Sequence, residues 1–345
     1  MAVRTWTAPG GVKSLRWDGA DLVDLVGGGR RWEPDGTFRD SGLRWGFPFD
    51  RAAVAPSGRY GVLWTERGTK GLVLDLRGPK IVREVDRSHY RATDYDYPIA
   101  LGRLPDGREV LVHCPEAYHR IEIEELVTGT RLTAGERGSV DVFHAQLEVS
   151  PDGRHLLSAG WVWAPLGVGH VHDVAAAFED ASTLDGDGLF GPHAGVDAEI
   201  GAACWLDADR VVMASTREAL GWEEEPEFGT MQLGVWSVGQ RRWLHRSPID
   251  RLTGALLARG SQVVSLNGHP RLLDAATGRV VAEWPEVGVP EKTECYGAEH
   301  VPSAVAAVSP DGTRLAVGLE DGVAVIDLPE HRPVGRDGGV AKVGG

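Results

Sequence analysis

The chain has 345 residues and a formal net charge of −14; no Lys/Arg run exceeds a pair, so it lacks the basic surface that a nucleic-acid or anionic-membrane binder needs. Hydrophobic residues make up 42%, with 46 glycines and 20 prolines, which gives a real core interrupted by many turns. Cys114, Cys204 and Cys295 stand far apart, against a disulfide framework or a zinc site. No apolar stretch has the length of a signal peptide or a membrane span, so the expectation is a soluble, cytoplasmic protein.

From the N-terminus, Ala2-Val3-Arg4-Thr5-Trp6-Thr7 precedes a series of seven units at 11–45, 46–93, 94–138, 139–196, 197–248, 249–298 and 299–330. Each centres on a turn. The first carries Trp17-Asp18-Gly19, the second Pro56-Ser57-Gly58, the third Pro105-Asp106-Gly107 and the fourth Pro151-Asp152-Gly153. The fifth and sixth carry degenerate versions, Asp207-Ala208-Asp209 and Ala258-Arg259-Gly260, and the seventh has Pro310-Asp311-Gly312. Proline presets φ at the first central position, Asp bonds the backbone two residues on, and glycine takes a positive φ. Short apolar runs flank each turn, which reads as a β-hairpin.

A third strand follows in most units, often ending in Asp: Leu72–Leu76 with Asp75, His170–Val174 with Asp173, Arg271–Ala275 with Asp274 and Val323–Leu328 with Asp327. A fourth is visible at Gly278–Trp284. In Ala304–Val308 every residue is apolar, so both faces of that strand are covered, as stacking blades do and a sheet with one wet face does not. Four short antiparallel strands per unit, repeated about every 50 residues, are propeller blades. The fold class is therefore all-β, a seven-bladed β-propeller of four-stranded antiparallel blades. The last unit shows three strands, so residues 2–7 are expected to supply its fourth and close the ring. The domain spans 1–330, and 331–345 is a flexible C-terminal tail.

The Val308-Ser309-Pro310-Asp311-Gly312-x-x-Leu315 and Val325-Ile326-Asp327-Leu328 patterns resemble WD40 and YVTN-type propeller repeats. The resemblance covers roughly 11–330, with the best copies at 142–175 and 301–328. The Gly-His dipeptide of eukaryotic WD40 repeats is missing from its expected places, which points to a divergent bacterial type. The stretches Leu156–Trp163 and Val171–Phe178 are similar to a family of bacterial WD40-like proteins of uncharacterised function. That resemblance implies no activity.

Two departures from the repeat stand out. After the third strand of the fourth unit, Ala175–Leu184 reads as a short helix and Asp185–Gly195 as a glycine-rich loop. The fifth unit carries Trp222, Glu223, Glu224, Glu225 and Phe228, an acidic loop between aromatics that offers a partner anchor or folds back on its blade. His170 and His172 share a strand face, but zinc needs further ligands. Trp161 and Trp163 share a face too and, with His170 and His172, would line a ligand pocket near the axis or wedge between blades. Asp185-Gly186-Asp187-Gly188 lacks the further ligands of a calcium loop and reads as a turn. His113 and Cys114 are adjacent in a strand and point to opposite faces, against a dyad. Glu122 and Glu124 read as surface carboxylates. Asp75, Asp173, Asp274 and Asp327 recur once per blade and read as structural.

No nucleophile elbow and no phosphate loop is present. The leading reading is a non-enzymatic, monomeric scaffold that binds another protein, with no nucleic acid, membrane, metal or cofactor. A second reading is a propeller enzyme, such as a lactonase-like hydrolase or an isomerase, with a metal or polar site at the central channel. A third is a small-ligand sensor.

Overall fold

The structure is a computed structural model that describes residues 2–78, 80–138, 140–162, 166–189, 195–221, 225–293 and 301–330. It holds seven antiparallel sheets. Blade 1 begins at Arg16–Asp18, blade 2 at Arg51–Val54, blade 3 at Ile99–Arg103 and blade 4 at Val142–Val149. Blades 5, 6 and 7 begin at Ala198–Trp205, Ala255–Arg259 and Ala306–Val308.

Apolar residues that neighbour each other in a strand face opposite sides of their sheet, and here each side packs on a different blade. Val62 joins a cluster with Leu111 of blade 3, whereas Leu63 joins one with Phe49 and Val26 of blade 1. Val211 faces Leu157 of blade 4, and Val212 faces Leu256 of blade 6. Leu156 packs with Val110 of blade 3, and Val264 with Leu315 of blade 7. A further cluster joins Val323 and Val325 of blade 7 to Trp17 and Trp32 of blade 1. One apolar layer thus lies at every blade boundary, and the layers close into a ring.

The N-terminal strand Val3–Thr7 completes blade 7 as its outermost strand. It pairs antiparallel with Gly322–Asp327, from Val3 opposite Ile326 to Thr7 opposite Gly322. Two indoles fix the seam: Trp32 Nε1 donates to Thr7 O and Trp17 Nε1 to Ala307 O, both at 3.0 Å. Closure pairs the chain's N-terminal strand with Gly322–Asp327, near the far end of the described chain, and so ties the first unit to the last.

Five sheets have four strands, and among the described residues the other two have three. In blade 3 the fourth position is reduced to a single bridge, Glu124 to Arg131. In blade 4 the chain instead forms an α-helix, Val174–Glu179, and a 3₁₀ turn, Ala181–Asp185. Asp173 ends the third strand and caps the helix, accepting from Ala175 N and Ala176 N. The apolar side of this insertion, Val174, Ala177 and Leu184, packs into the layer between blades 3 and 4.

The Ser-Pro-Asp-Gly phrase makes the same turn wherever it occurs. Gly153 N donates to Ser150 O and Gly312 N to Ser309 O, both at 2.8 Å, with φ of +73° and +68°. These hairpin turns gather on one face of the ring. The connections from one blade to the next lie on the opposite face.

Candidate functional site

The connection face over blades 1 to 3 carries the most distinctive surface. Two cavities, of about 410 and 610 Å³, share Phe47 and Pro48 as a common wall. Both residues belong to the link between blades 1 and 2, Trp45-Gly46-Phe47-Pro48-Phe49. Proline restricts the residue before it to extended backbone. Phe49 is buried against Leu63 and Leu74, while Phe47 stands 44% exposed. Trp45 pins the link by donating its indole to Leu25 O at 3.1 Å.

The link between blades 2 and 3 forms the far wall. Arg87, 3% exposed, organises it from below. Its guanidinium donates to the carbonyls of Gly68 (2.6 Å), Ala92 (2.7 Å) and Tyr95 (3.0 Å) and lies over the rings of Tyr95 and Tyr97. Gly68 and Ala92 both line the larger cavity, so this one buried cation shapes two of its loops. Above it, Tyr90 is 50% exposed, and Arg91 sits at φ +53°, a backbone region that non-glycine residues occupy at a cost and that clusters at functional sites. Arg67 bonds Asp96 and Thr93 O.

Tyr90 opens a ladder of aromatic rings. It stacks on Tyr118 at 5.2 Å, Tyr118 on Phe143 at 4.1 Å, and Phe143 on Trp161 at 4.1 Å. Trp161 is thus a half-buried rung stacked on its cross-strand neighbour Phe143 within blade 4. His170 and His172 lie 6.0 Å apart by ring centroid. His172 Nδ1 faces Thr183 O, and burial lowers the pKa of both rings, that of His172 to about 3. Among the described residues no group of three or more His, Cys, Asp or Glu side chains is arranged to hold a metal ion.

The acidic loop of blade 5 is described only in part: Trp222, Glu223 and Glu224 lie outside the described residues, as do Trp163, Cys295 and the tail 331–345. Glu225 is exposed. Phe228 is fully buried and stacks on Trp243 at 4.3 Å. The partner role considered for Phe228 is therefore corrected: the ring completes its blade, because the link Gly195–Asp197 binds its backbone on both sides.

Asp75, Asp173, Asp274 and Asp327 each end the third strand of their blade. Asp75 accepts from Arg77 N, and Asp274 from Thr277 N. Asp327 pairs with Arg4 of the closing strand at 2.6 Å. The expectation of surface carboxylates at Glu122 and Glu124 fails, since both are buried. With no full fourth strand in blade 3, arginines cover them: Arg120 bonds Glu122, and Arg83 bonds Glu124. Burial pushes the Cys114 thiol up, and His113 turns instead to Tyr97.

Burial and the charge of Glu66 push the Asp96 carboxyl up. Glu66 is bonded by Arg51 and by Ser303 N. Arg51 also donates to Ser303 O. The link between blades 6 and 7 therefore reaches across the ring to blade 2. Neither carboxylate lines either of the two cavities.

No family model matches the sequence, and no curated protein sequence does. Among solved structures, a chain from the crystal structure of a mitotic checkpoint complex superposes with a TM-score of 0.62 at 11% identity, over 95% of each chain. The likeness shows the fold, a seven-bladed β-propeller. Matches extend to 1034 chains of solved structures, so the fold by itself selects no function. Among the described residues, no helix is long and apolar enough to cross a membrane.

Phe47 of the groove, and Tyr90 and Arg87 beside it, were not singled out from the sequence. The signal was present in Phe47-Pro48-Phe49 and Ser88-His89-Tyr90-Arg91, aromatic stretches in the links between repeats, where the repeat pattern itself is silent.

Proposed function

We propose that this WD40-like propeller is a non-enzymatic scaffold that binds another protein through the connection face of blades 1 to 3. The observation that carries this reading is the placement of Phe47 and Tyr90. Only four large hydrophobic side chains are exposed among the described residues; Phe47 lines both joined cavities, and Tyr90 stands between His89 and Arg91, which line the larger one. Exposed aromatics beside concave, polar-rimmed surface are the usual anchors of protein interfaces. The scaffold beneath is rigid, because seven apolar layers hold the blades and Arg87 holds the loops. No buried carboxylate or histidine lines either of the two cavities.

The test is affinity capture from native lysate with tagged wild-type protein and with the F47A/Y90A variant, at matched folding by circular dichroism. A stoichiometric protein retained by wild type and lost from the variant is the expected result. Equal retention by both, or no stoichiometric protein with either, would overturn the reading.

A further inference from the structure

We infer that the groove over blades 1 and 2 takes an acidic peptide segment, with one of that segment's apolar side chains seated against Phe47. The inference rests on the reading of this face as a protein-binding surface and names the chemistry of the partner.

Charge is the first argument. The chain as a whole carries −14, yet the lining of the two cavities is cationic. Lys13, Arg30, Arg44, Arg67 and Arg91 contribute positive charge, against the carboxylates of Asp40 and Asp94. Low-dielectric walls lined by one sign of charge focus the field onto a ligand of the opposite sign.

The pairing pattern supports this. Arg30 is held by buried Asp24, and Arg67 by Asp96. Those two are fixed and largely neutralised, and Arg91 pairs with Asp94 at 3.1 Å. Arg44 pairs with Asp40 at the surface, where its side chain is 64% exposed, and such pairs hold little energy and exchange partners readily. Lys13 is exposed and has no carboxylate partner among the described residues. Beneath the floor, Arg87 is buried with three carbonyls for company, no carboxylate, and an Nη1 that lacks a hydrogen-bond partner. A buried cation with no directly bonded carboxylate, offset only by the nearby charge of Asp96, is costly, and an anion arriving in the cavity above it adds to that offset.

Shape selects a peptide over other polyanions. Phe47 stands between the two cavities, so an occupant must cross an apolar ridge with charge-binding hollows on either side. A short extended segment with carboxylates flanking one apolar residue does so. Nucleic acid carries a phosphate charge about every 1.7 Å along its axis. It would run off these two blades onto the acidic remainder of the ring.

The experiment is selection of a displayed random-peptide library on immobilised full-length protein, followed by anisotropy titration of the enriched peptides. The expected result is enrichment of Asp and Glu around an apolar residue. Affinity should fall at least tenfold in the K13E/R44E variant and at least tenfold in F47A, and weaken several-fold when salt rises from 50 to 200 mM. Amide counterparts of the peptides, and a single-stranded oligonucleotide of equal charge, should bind at least tenfold more weakly. No enrichment, enrichment without acidic bias, retention by K13E/R44E, or equal binding of the oligonucleotide would overturn the inference. All three substitutions lie at exposed side chains, and melting curves confirm that the variants fold. Photo-crosslinking from position 47 reports on the protein-binding reading separately. A protein adduct at 47 without acidic selection sinks the acidic chemistry alone, whereas absence of both sinks the two together.

Discussion

Arg137 and Asp185 form a bidentate ion pair in the interior, with Arg137 Nε 2.9 Å from both carboxylate oxygens and side chains only 3% and 6% exposed. Gly138 N also donates to Asp185, and Arg137 donates to Ile121 O. The pair bolts the blade 4 insertion onto the link leaving blade 3. Removing one partner strands the other charge, at about 3–5 kcal/mol. D185A is therefore expected to lower unfolding stability by that order, and R137M/D185L to recover part of it, in urea titrations. Because Asp185 is committed to Arg137, added calcium should leave the melting temperature unchanged.

Ring closure rests on Val3–Thr7. Trp6, 8% exposed, packs with Trp17, Trp32 and Val323. Trp6→Ala should cost on the order of 3 kcal/mol through lost burial and a cavity. Deleting residues 1–8 should cost more, because it also opens a sheet edge. The readout is the thermal midpoint together with concentration-dependent association of the truncated protein. An unchanged midpoint would refute closure.

The turn glycines are not equivalent. A Cβ on Gly153 would meet Arg103 O of the neighbouring blade at 2.0 Å, whereas one on Gly107 meets nothing within 4 Å. Both have positive φ, +73° and +90°. G107A should therefore cost only the backbone strain, about 1–2 kcal/mol. G153A should cost clearly more, as compared by denaturant midpoints.

Stability should vary with pH in two opposed ways. Burial holds His172 at about 3 and depresses His144 and His170. Below about 6.5 the unfolded chain binds protons that the folded chain refuses, so stability falls as pH drops. Glu148, half-buried and bonded by Trp205 N, is raised to about 7 by burial. Its contribution is present in acid and is lost as pH rises through 7. E148Q should flatten the loss between pH 5 and 8, and H172Q the loss between pH 6.5 and 4. Each effect is on the order of 1–2 kcal/mol, read from unfolding titrations across pH.

The architecture was legible because it is written repeatedly. The turn phrase, the apolar runs on both strand faces and the Asp ending each third strand all recur, and each follows from local chemistry. Blades 3 and 4 departed from the four-strand plan where the repeat is interrupted. Ala175–Phe178 announced the helix, but nothing local told that Arg137, some 40 residues earlier, would hold it. The site was harder to read. The acidic loop of blade 5 drew attention by composition, yet Phe228 packs inward, a fact set by Trp243 fifteen residues on. Phe47 and Tyr90 became distinctive only once folding had placed their links side by side, and the stack of Trp161 on Phe143 follows from the pairing of two strands that the repeat alone does not register.

The most direct measurement is site-specific photo-crosslinking in cells, with benzoylphenylalanine replacing Phe47 or Tyr90, and Val127, 41% exposed on another part of the ring, as the control position. A protein adduct of discrete mass from positions 47 and 90, and none from 127, is the expected result. No adduct from either position, or the same adducts from all three, would contradict a partner-binding face on blades 1 to 3.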